Sequence, residues 1–342
     1  MCDFLPHLYG QEKLKKELKR LLKDERIPHT LIFYGDEGLG KTTAALDLAG
    51  IITDRIDSLW NAFSSIAKED LSKAPVITLA DQLVWYLHPV GLELKIEQFR
   101  IFLEAMASFD EKTHVCIIDE AQTMMAPVAN SLLKTLEEPE GNIHFILITH
   151  DLDSLLPTII SRGERFGFFP LNKKDFFALV KSSPERFKPP EGMDESLLYQ
   201  ISEGNPGIAL EVCEEKGNKG PEWAMHFWEV LTGSTLPFSI LSAEEFKDRY
   251  EFLKALRWIS LVGRDIMVLS QTGNASLVRC APIFEKEWKI STYWSGGRGE
   301  EAMKVLKIAE TAVARYINTK NVWDFIIIEL THIQKGEKKW IR

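Results

Sequence analysis

Residues 31–43 read Leu-Ile-Phe-Tyr-Gly-Asp-Glu-Gly-Leu-Gly-Lys-Thr-Thr. A short apolar run turns through three glycines and ends in Lys-Thr, at the head of a helix expected from Thr42 to Ala49. Gly-x-x-x-x-Gly-Lys-Thr is the pattern of a phosphate-binding loop. Glycines let backbone N–H groups converge on phosphate oxygens with no Cβ in the way. The helix start adds orphan donors and the positive end of a dipole. Gly35, Asp36, Glu37, Gly38, Leu39, Gly40, Lys41, Thr42 and Thr43 are therefore the candidate nucleotide contacts. In this pattern Lys41 reaches the β- and γ-phosphates and Thr42 holds Mg²⁺. A strand before the loop and a helix after it imply an α/β fold built on a parallel sheet.

A second stretch, Thr113 to Gln122, is an apolar strand that ends in Asp119-Glu120. Strand-end residues of a parallel sheet sit at its carboxyl edge, where ligands bind. Asp119 is expected to hold Mg²⁺, directly or through water, and Glu120 to orient and polarise an attacking water. Strands that end in acids are common, so this stretch gains its meaning from the glycine loop. His144 to Thr149 reads as another buried strand, whose terminal Thr149 either senses a γ-phosphate or caps the turn that follows. Arg162 is either a surface charge or a finger that reaches another subunit's ATP. Helices are expected over Glu12–Lys23, Asp47–Leu71, Leu94–Ser108 and Ala129–Leu136, and a strand over Gln82–Leu87.

At 342 residues two or three domains are expected. The net charge of −9 argues against a nucleic-acid binder as a whole. A local basic patch remains on Glu12–Lys23, where Lys13, Lys15, Lys16, Lys19, Arg20 and Lys23 flank a leucine stripe, though a solvated helix face is the preferred reading. Cys2, Cys116, Cys213 and Cys280 show no metal-ligand or disulfide spacing, which suits a reducing cytosol. No signal peptide or membrane-spanning apolar run is evident. Beyond Pro170 the pattern is helical throughout: Asp175–Lys181, Asp194–Ser202, Ile208–Glu215, Trp223–Leu231, Ala243–Leu269, Glu301–Ile317 and Val322–Gln334.

Asn130 to Pro139, Asn-Ser-Leu-Leu-Lys-Thr-Leu-Glu-Glu-Pro, resembles a segment of bacterial clamp-loader subunits with one substitution. Leu156 to Arg162 resembles that family's Ser-Arg-Cys segment and its lead-in, with Gly163 in place of Cys. Tyr9-Gly10-Gln11 and Pro28 to Phe33 resemble the family's start, which lies beside adenine; Leu8 and Tyr9 are candidate contacts on that ground. The resemblance is tight from about residue 8 to 165. It implies an AAA+ P-loop domain over 1–168, a small helical lid over 169–216, and an all-helical collar over 217–342. It further implies cytoplasmic ATP and Mg²⁺ binding, a hetero-pentameric ring with other loader subunits, a sliding clamp, and primer–template DNA reached through the complex, with no membrane. Ser202 to Leu210 is most similar to the delta-prime type of subunit, which lacks the second sensor arginine; Gly207 stands at that position. The family often carries a four-cysteine zinc module, but Thr43 to His114 contains no cysteine, so no zinc is expected there. A motor subunit of the same loader, a scaffold with an idle loop, and an unrelated small-molecule kinase are the alternatives.

Overall fold

The structure, a computed structural model, describes residues 4–66, 76–91, 93–107, 109, 111–137, 141–189, 194–214, 220–232, 246, 249–280, 284–314 and 317–336. Six strands form one sheet: β1 Thr30–Tyr34, β2 Ile77–Leu79, β3 Val84–Leu87, β4 His114–Ile118, β5 Ile143–Thr149 and β6 Glu164–Gly167. Their order is β2-β3-β4-β5-β1-β6. All neighbours run parallel except β2, which pairs antiparallel with β3 at one edge. Every residue of β4 and β5 is buried. That explains why both read as unbroken apolar runs: a parallel sheet is covered on both faces.

Alternate residues feed two separate cores, as the two-residue strand period requires. Leu31, Phe33, Val115, Ile117, Ile146 and Ile148 face one core. Ile32, Cys116, Ile118, Phe145 and Leu147 face the other. Helices α1 Glu12–Lys23, α2 Lys41–Ile52 and α3 Ile56–Ser65 supply the first core. Helices α4 Ile96–Met106, α5 Ala126–Glu137 and the short α6 Pro157–Ile160 supply the second. Asp47 lies fully buried in α2, between Leu46 and Leu48. Its carboxylate is satisfied by the His7 backbone N–H at 3.0 Å, the His7 ring at 2.7 Å and the Trp60 indole N–H at 2.8 Å.

The single helix expected from Asp47 to Leu71 is two helices. After α2, Asp54 takes a left-handed φ of 55° and α3 begins at Ile56. Gly50 permits the close return, because a Cβ there would stand 2.6 Å from Ile56 Cα. Residues 67–71 lie outside the described residues, as do Glu138 and Pro139 of the family segment. Gln82, expected in β3, sits in the turn before it at φ 67°. On α1, Lys15 donates from Nζ to the Leu8 carbonyl at 2.5 Å, so that lysine braces the chain start.

The chain divides into two compact units, one of residues 1–184 with 202–209 and one of 185–201 with 210–342. Helix α7 Lys173–Ser182 ends the main stretch of the first unit, and its Asn172 cap accepts from Asp175 N–H. The boundary crosses α8 Glu195–Ser202 and α9 Pro206–Glu214. The second unit contains α10 Pro221–Thr232, α11 Arg249–Thr272, α12 Phe284–Ser291, α13 Arg298–Ala314 and α14 Thr319–Lys335. Its core centres on Trp228, Trp294 and Trp323, each at most 2% exposed. Trp228 stands edge-on to Trp294 at 4.7 Å and donates its indole N–H to the Ile259 carbonyl. Gly263 makes room for that ring on α11, since a Cβ there would meet it at 2.3 Å. No helix among the described residues is long and apolar enough to cross a membrane.

Candidate nucleotide-binding site

Strand β1 delivers the glycine loop to the carboxyl edge of the sheet, and α2 starts at Lys41. Gly35, Gly38 and Gly40 have φ of 137°, 81° and 89°, values an L side chain rarely adopts. The cradle is also tight. A Cβ on Gly35 would stand 2.5 Å from the Phe168 carbonyl oxygen, and one on Gly40 would stand 3.0 Å from Leu8 Cδ1. Leu8 is thus buried against the loop, while Tyr9 beside it is partly exposed. Leu39 anchors the loop in the core; Asp36 and Glu37 face solvent.

Lys41 is only 7% exposed, and its ammonium donates to the Gly35 and Asp36 carbonyls, each at 2.6 Å. Burial pulls its pKa below the usual lysine value, opposed by Asp119, Glu37, Asp36 and Glu120. Beside it, Thr42 Oγ1 donates to Asp119 Oδ2 at 3.1 Å. Thr43 follows, half-buried, in the first turn of α2. The two stretches singled out in the sequence therefore meet through a direct bond.

Asp119 follows β4 and gathers two further donors. Glu120 N–H reaches its Oδ1 at 2.9 Å, and the Tyr86 hydroxyl reaches its Oδ2 at 2.5 Å. Burial and the neighbouring Asp119 carboxylate raise the Tyr86 pKa well above the phenol value, so Tyr86 remains a neutral donor. Tyr86 had no role in the sequence reading. It lies on β3, paired with β4, and only the register Tyr86↔Ile117 brings it to the aspartate. Glu120 is exposed in the left-handed region at φ 49°.

Thr149 ends β5 level with Tyr34 of β1, but its hydroxyl is engaged in a local turn. It donates to the Asp151 carbonyl at 2.8 Å and accepts from the Asp151 N–H at 3.1 Å. Arg162 lies after α6, with Nη1 on the Thr158 carbonyl at 2.5 Å and Nη2 on the Glu137 carboxylate. It is thus paired within its own chain and lies apart from the loop–Asp119 cluster. On the other side of the glycine loop, Asn205 donates from Nδ2 to the Glu37 carbonyl at 2.8 Å, and Gly207 N–H reaches the Gly38 carbonyl at 3.0 Å.

A buried loop lysine, a hydroxyl on a strand-end aspartate and a largely parallel sheet carrying both define a P-loop fold. The profile of the family described as "DNA polymerase III, delta subunit" matches residues 10–172. The replication factor C small subunit of Sulfolobus acidocaldarius is 26% identical over 274 residues, 77% of each chain. The DNA polymerase III subunit delta' of Bacillus subtilis is 32% identical over 172 residues, 48% of this chain and 49% of that one. The DNA polymerase III subunit gamma of Buchnera aphidicola is 26% identical over 214 residues, 62% of this chain and 56% of that one. Residues 10–172 thus match a DNA polymerase III subunit family, and the chain is similar over about half to three quarters of its length to clamp-loader subunits.

Proposed function

We propose that this chain is a delta-prime-like subunit of a bacterial clamp loader. In that role it binds Mg-ATP, turns it over slowly or negligibly when alone, and supplies Arg162 to the ATP of a neighbouring subunit. Its cytoplasmic partners are then the other subunits of a five-membered ring, the sliding clamp, and primer–template DNA reached through the complex. Residues 169–216 serve as lid and 217–342 as collar in this reading.

The observation that carries the nucleotide reading is the Lys41–Thr42–Asp119 cluster beneath the glycine cradle. A cradle with positive φ at three glycines fits phosphate, and a hydroxyl beside a carboxylate fits Mg²⁺. Lys41 and the loop N–H groups would hold the phosphates, Thr42 and Asp119 the cation, and Leu8 and Tyr9 the base. Glu120 would take the proton of the attacking water. Bound Mg-ATP supplies the phosphoanhydride that is cleaved. Slow turnover follows from Gly207, which offers no cation at the second sensor position, and from a Thr149 hydroxyl already engaged with Asp151. These two features favour the delta-prime reading over the motor-subunit alternative.

For Arg162 the supporting observation is that its only charged partner among the described residues is Glu137, itself half exposed. The pair with Glu137 is partly exposed and so is weak, and a phosphate could replace it. A finger of this kind is worth about 10³-fold or more in rate.

The test joins two variants. A fluorescent ATP analogue should bind the purified chain, and Lys41→Ala should weaken it about tenfold or more, the worth of one charge-assisted hydrogen bond. In a reconstituted ring, Arg162→Ala should sharply lower clamp loading. Absence of binding would leave a stator with an idle loop; unchanged loading by Arg162→Ala would remove the finger role.

A further inference from the structure

The helical unit holds a buried polar cluster far in sequence from the glycine loop. Asp265 of α11, Cys280 and Glu287 of α12 are 0%, 1% and 0% exposed. Each offers one ligand atom, and these three atoms lie within 4.8 Å of one another. Asp265 is well supplied with donors. Its Oδ2 accepts the Arg279 and Cys280 backbone N–H groups, each at 2.8 Å, and its Oδ1 accepts from Arg264 Nη1 at 2.6 Å. That leaves Oδ1 a lone pair to give.

Glu287 is the anomaly. Both of its carboxylate oxygens are buried, and neither has a hydrogen-bond partner. Buried polar atoms are almost always partnered, and an ionised carboxylate buried without a donor is costly. The carboxylate instead shares its space with a thiol and a second carboxylate, and all three are ligand types.

We infer that Asp265, Cys280 and Glu287 form a structural site for a thiophilic divalent cation, of which Zn²⁺ is the biological member. The donor set decides the class: a thiolate selects zinc over magnesium or calcium, and carboxylates are ordinary zinc ligands. The reach is suitable. Ligand atoms around a tetrahedral zinc stand roughly 3.5 Å apart, so closing each pair by at most about 1.3 Å, shared between two side chains, completes the set. Charge also balances, because a divalent cation together with the Arg264 guanidinium cancels two carboxylates and one thiolate. A water completes the tetrahedron. Binding takes a proton from the Cys280 thiol, and one from any protonated Glu287 carboxyl, and releases it to solvent. The ion would fasten α11, the 279–280 segment and α12 to one point. It is unrelated to the four-cysteine module of the family, whose place in this chain, Thr43 to His114, has no cysteine.

The experiment uses the full chain, stripped with chelator and titrated with Co²⁺ in place of Zn²⁺. One equivalent should produce a thiolate-to-cobalt charge-transfer band, and Zn²⁺ should abolish that band by displacement. A cation at Thr42 and Asp119 has no sulfur ligand and contributes no such band. Cys280→Ser should lose the band and Glu287→Gln should lose or greatly weaken it, whereas Cys116→Ser and Cys213→Ser should keep it. Where Cys280→Ser proves unfolded, X-ray absorption of the zinc-loaded native chain decides the matter: one sulfur among oxygen neighbours supports the site. A native chain without the band, a band that survives in folded Cys280→Ser, or a zinc shell without sulfur or with more than one would each overturn the inference.

Discussion

Gly207 donates its backbone N–H to the Gly38 carbonyl at 3.0 Å, and the two backbones are so close that a Cβ on Gly207 would lie 2.4 Å from Gly38 Cα. Asn205 adds a second brace through Glu37, and its Oδ1 accepts from the Gly207 N–H at 2.9 Å. At Gly207 it is backbone, not a side chain, that packs on the phosphate loop.

Gly207→Ala should accordingly destabilise the first unit by about 1–3 kcal/mol, the usual cost of overpacking, because the atoms in the way are main chain and cannot swing aside. Thermal melting checks this, and an unshifted midpoint would contradict it. Gly207→Arg should melt lower still and should not acquire ATPase activity, since its side chain cannot emerge without displacing the loop.

Tyr86→Phe removes a hydroxyl and leaves the ring, which packs edge-on against Phe63 at 5.4 Å. Asp119 then loses one of three donors. A hydrogen bond to a charged group is worth about 1.5–3 kcal/mol, so a loss of that order is expected in chemical denaturation. The Mg²⁺ dependence of ATP-analogue binding should also shift, because the carboxylate is less firmly aimed. Wild-type values in both measurements would count against any role for Tyr86.

His144 offers a pH-dependence with a defined sign. Burial lowers its pKa, and its neighbour His29 lowers it further; the Nδ1 bond to the Pro28 carbonyl at 2.9 Å acts the other way. In the unfolded chain the imidazole protonates near pH 6.5. Below that pH the unfolded state binds more protons than the folded state, so stability should fall as the pH drops. His144→Asn, which retains a donor for Pro28, should flatten the difference between unfolding free energies at about pH 5 and 7. An equally steep loss in the variant would place the effect elsewhere.

Local pattern carried some parts of this molecule and not others. The strand–glycine–helix sequence at Leu31 to Thr43 and the strand ending in Asp119 were readable because each is contiguous. Their direct bond, Thr42 to Asp119, follows once both strands share a sheet edge. Strands β2 and β6 escaped notice, being three and four residues long and, in β6, opening with Glu164-Arg165. Tyr86 and Asn205 were invisible as site residues because their partners lie 33 and 168 positions away. The Asp265–Cys280–Glu287 cluster was missed for a related reason. Its spacing matches no ligand motif, and three separate segments of a helical unit must fold before the side chains meet.

The brace between Gly207 and Gly38 also bears on the order of assembly. The first unit is not continuous in sequence: residues 185–201 belong to the other unit, and the chain returns for 202–209. During synthesis the phosphate loop is made early, yet Asn205 and Gly207 emerge well over a hundred residues later. While the ribosome is still making the sheet, the loop lacks these two braces. A chain truncated after Pro184 would keep all six described strands and Lys41 but lack Asn205 and Gly207, so its glycine cradle would be unbraced.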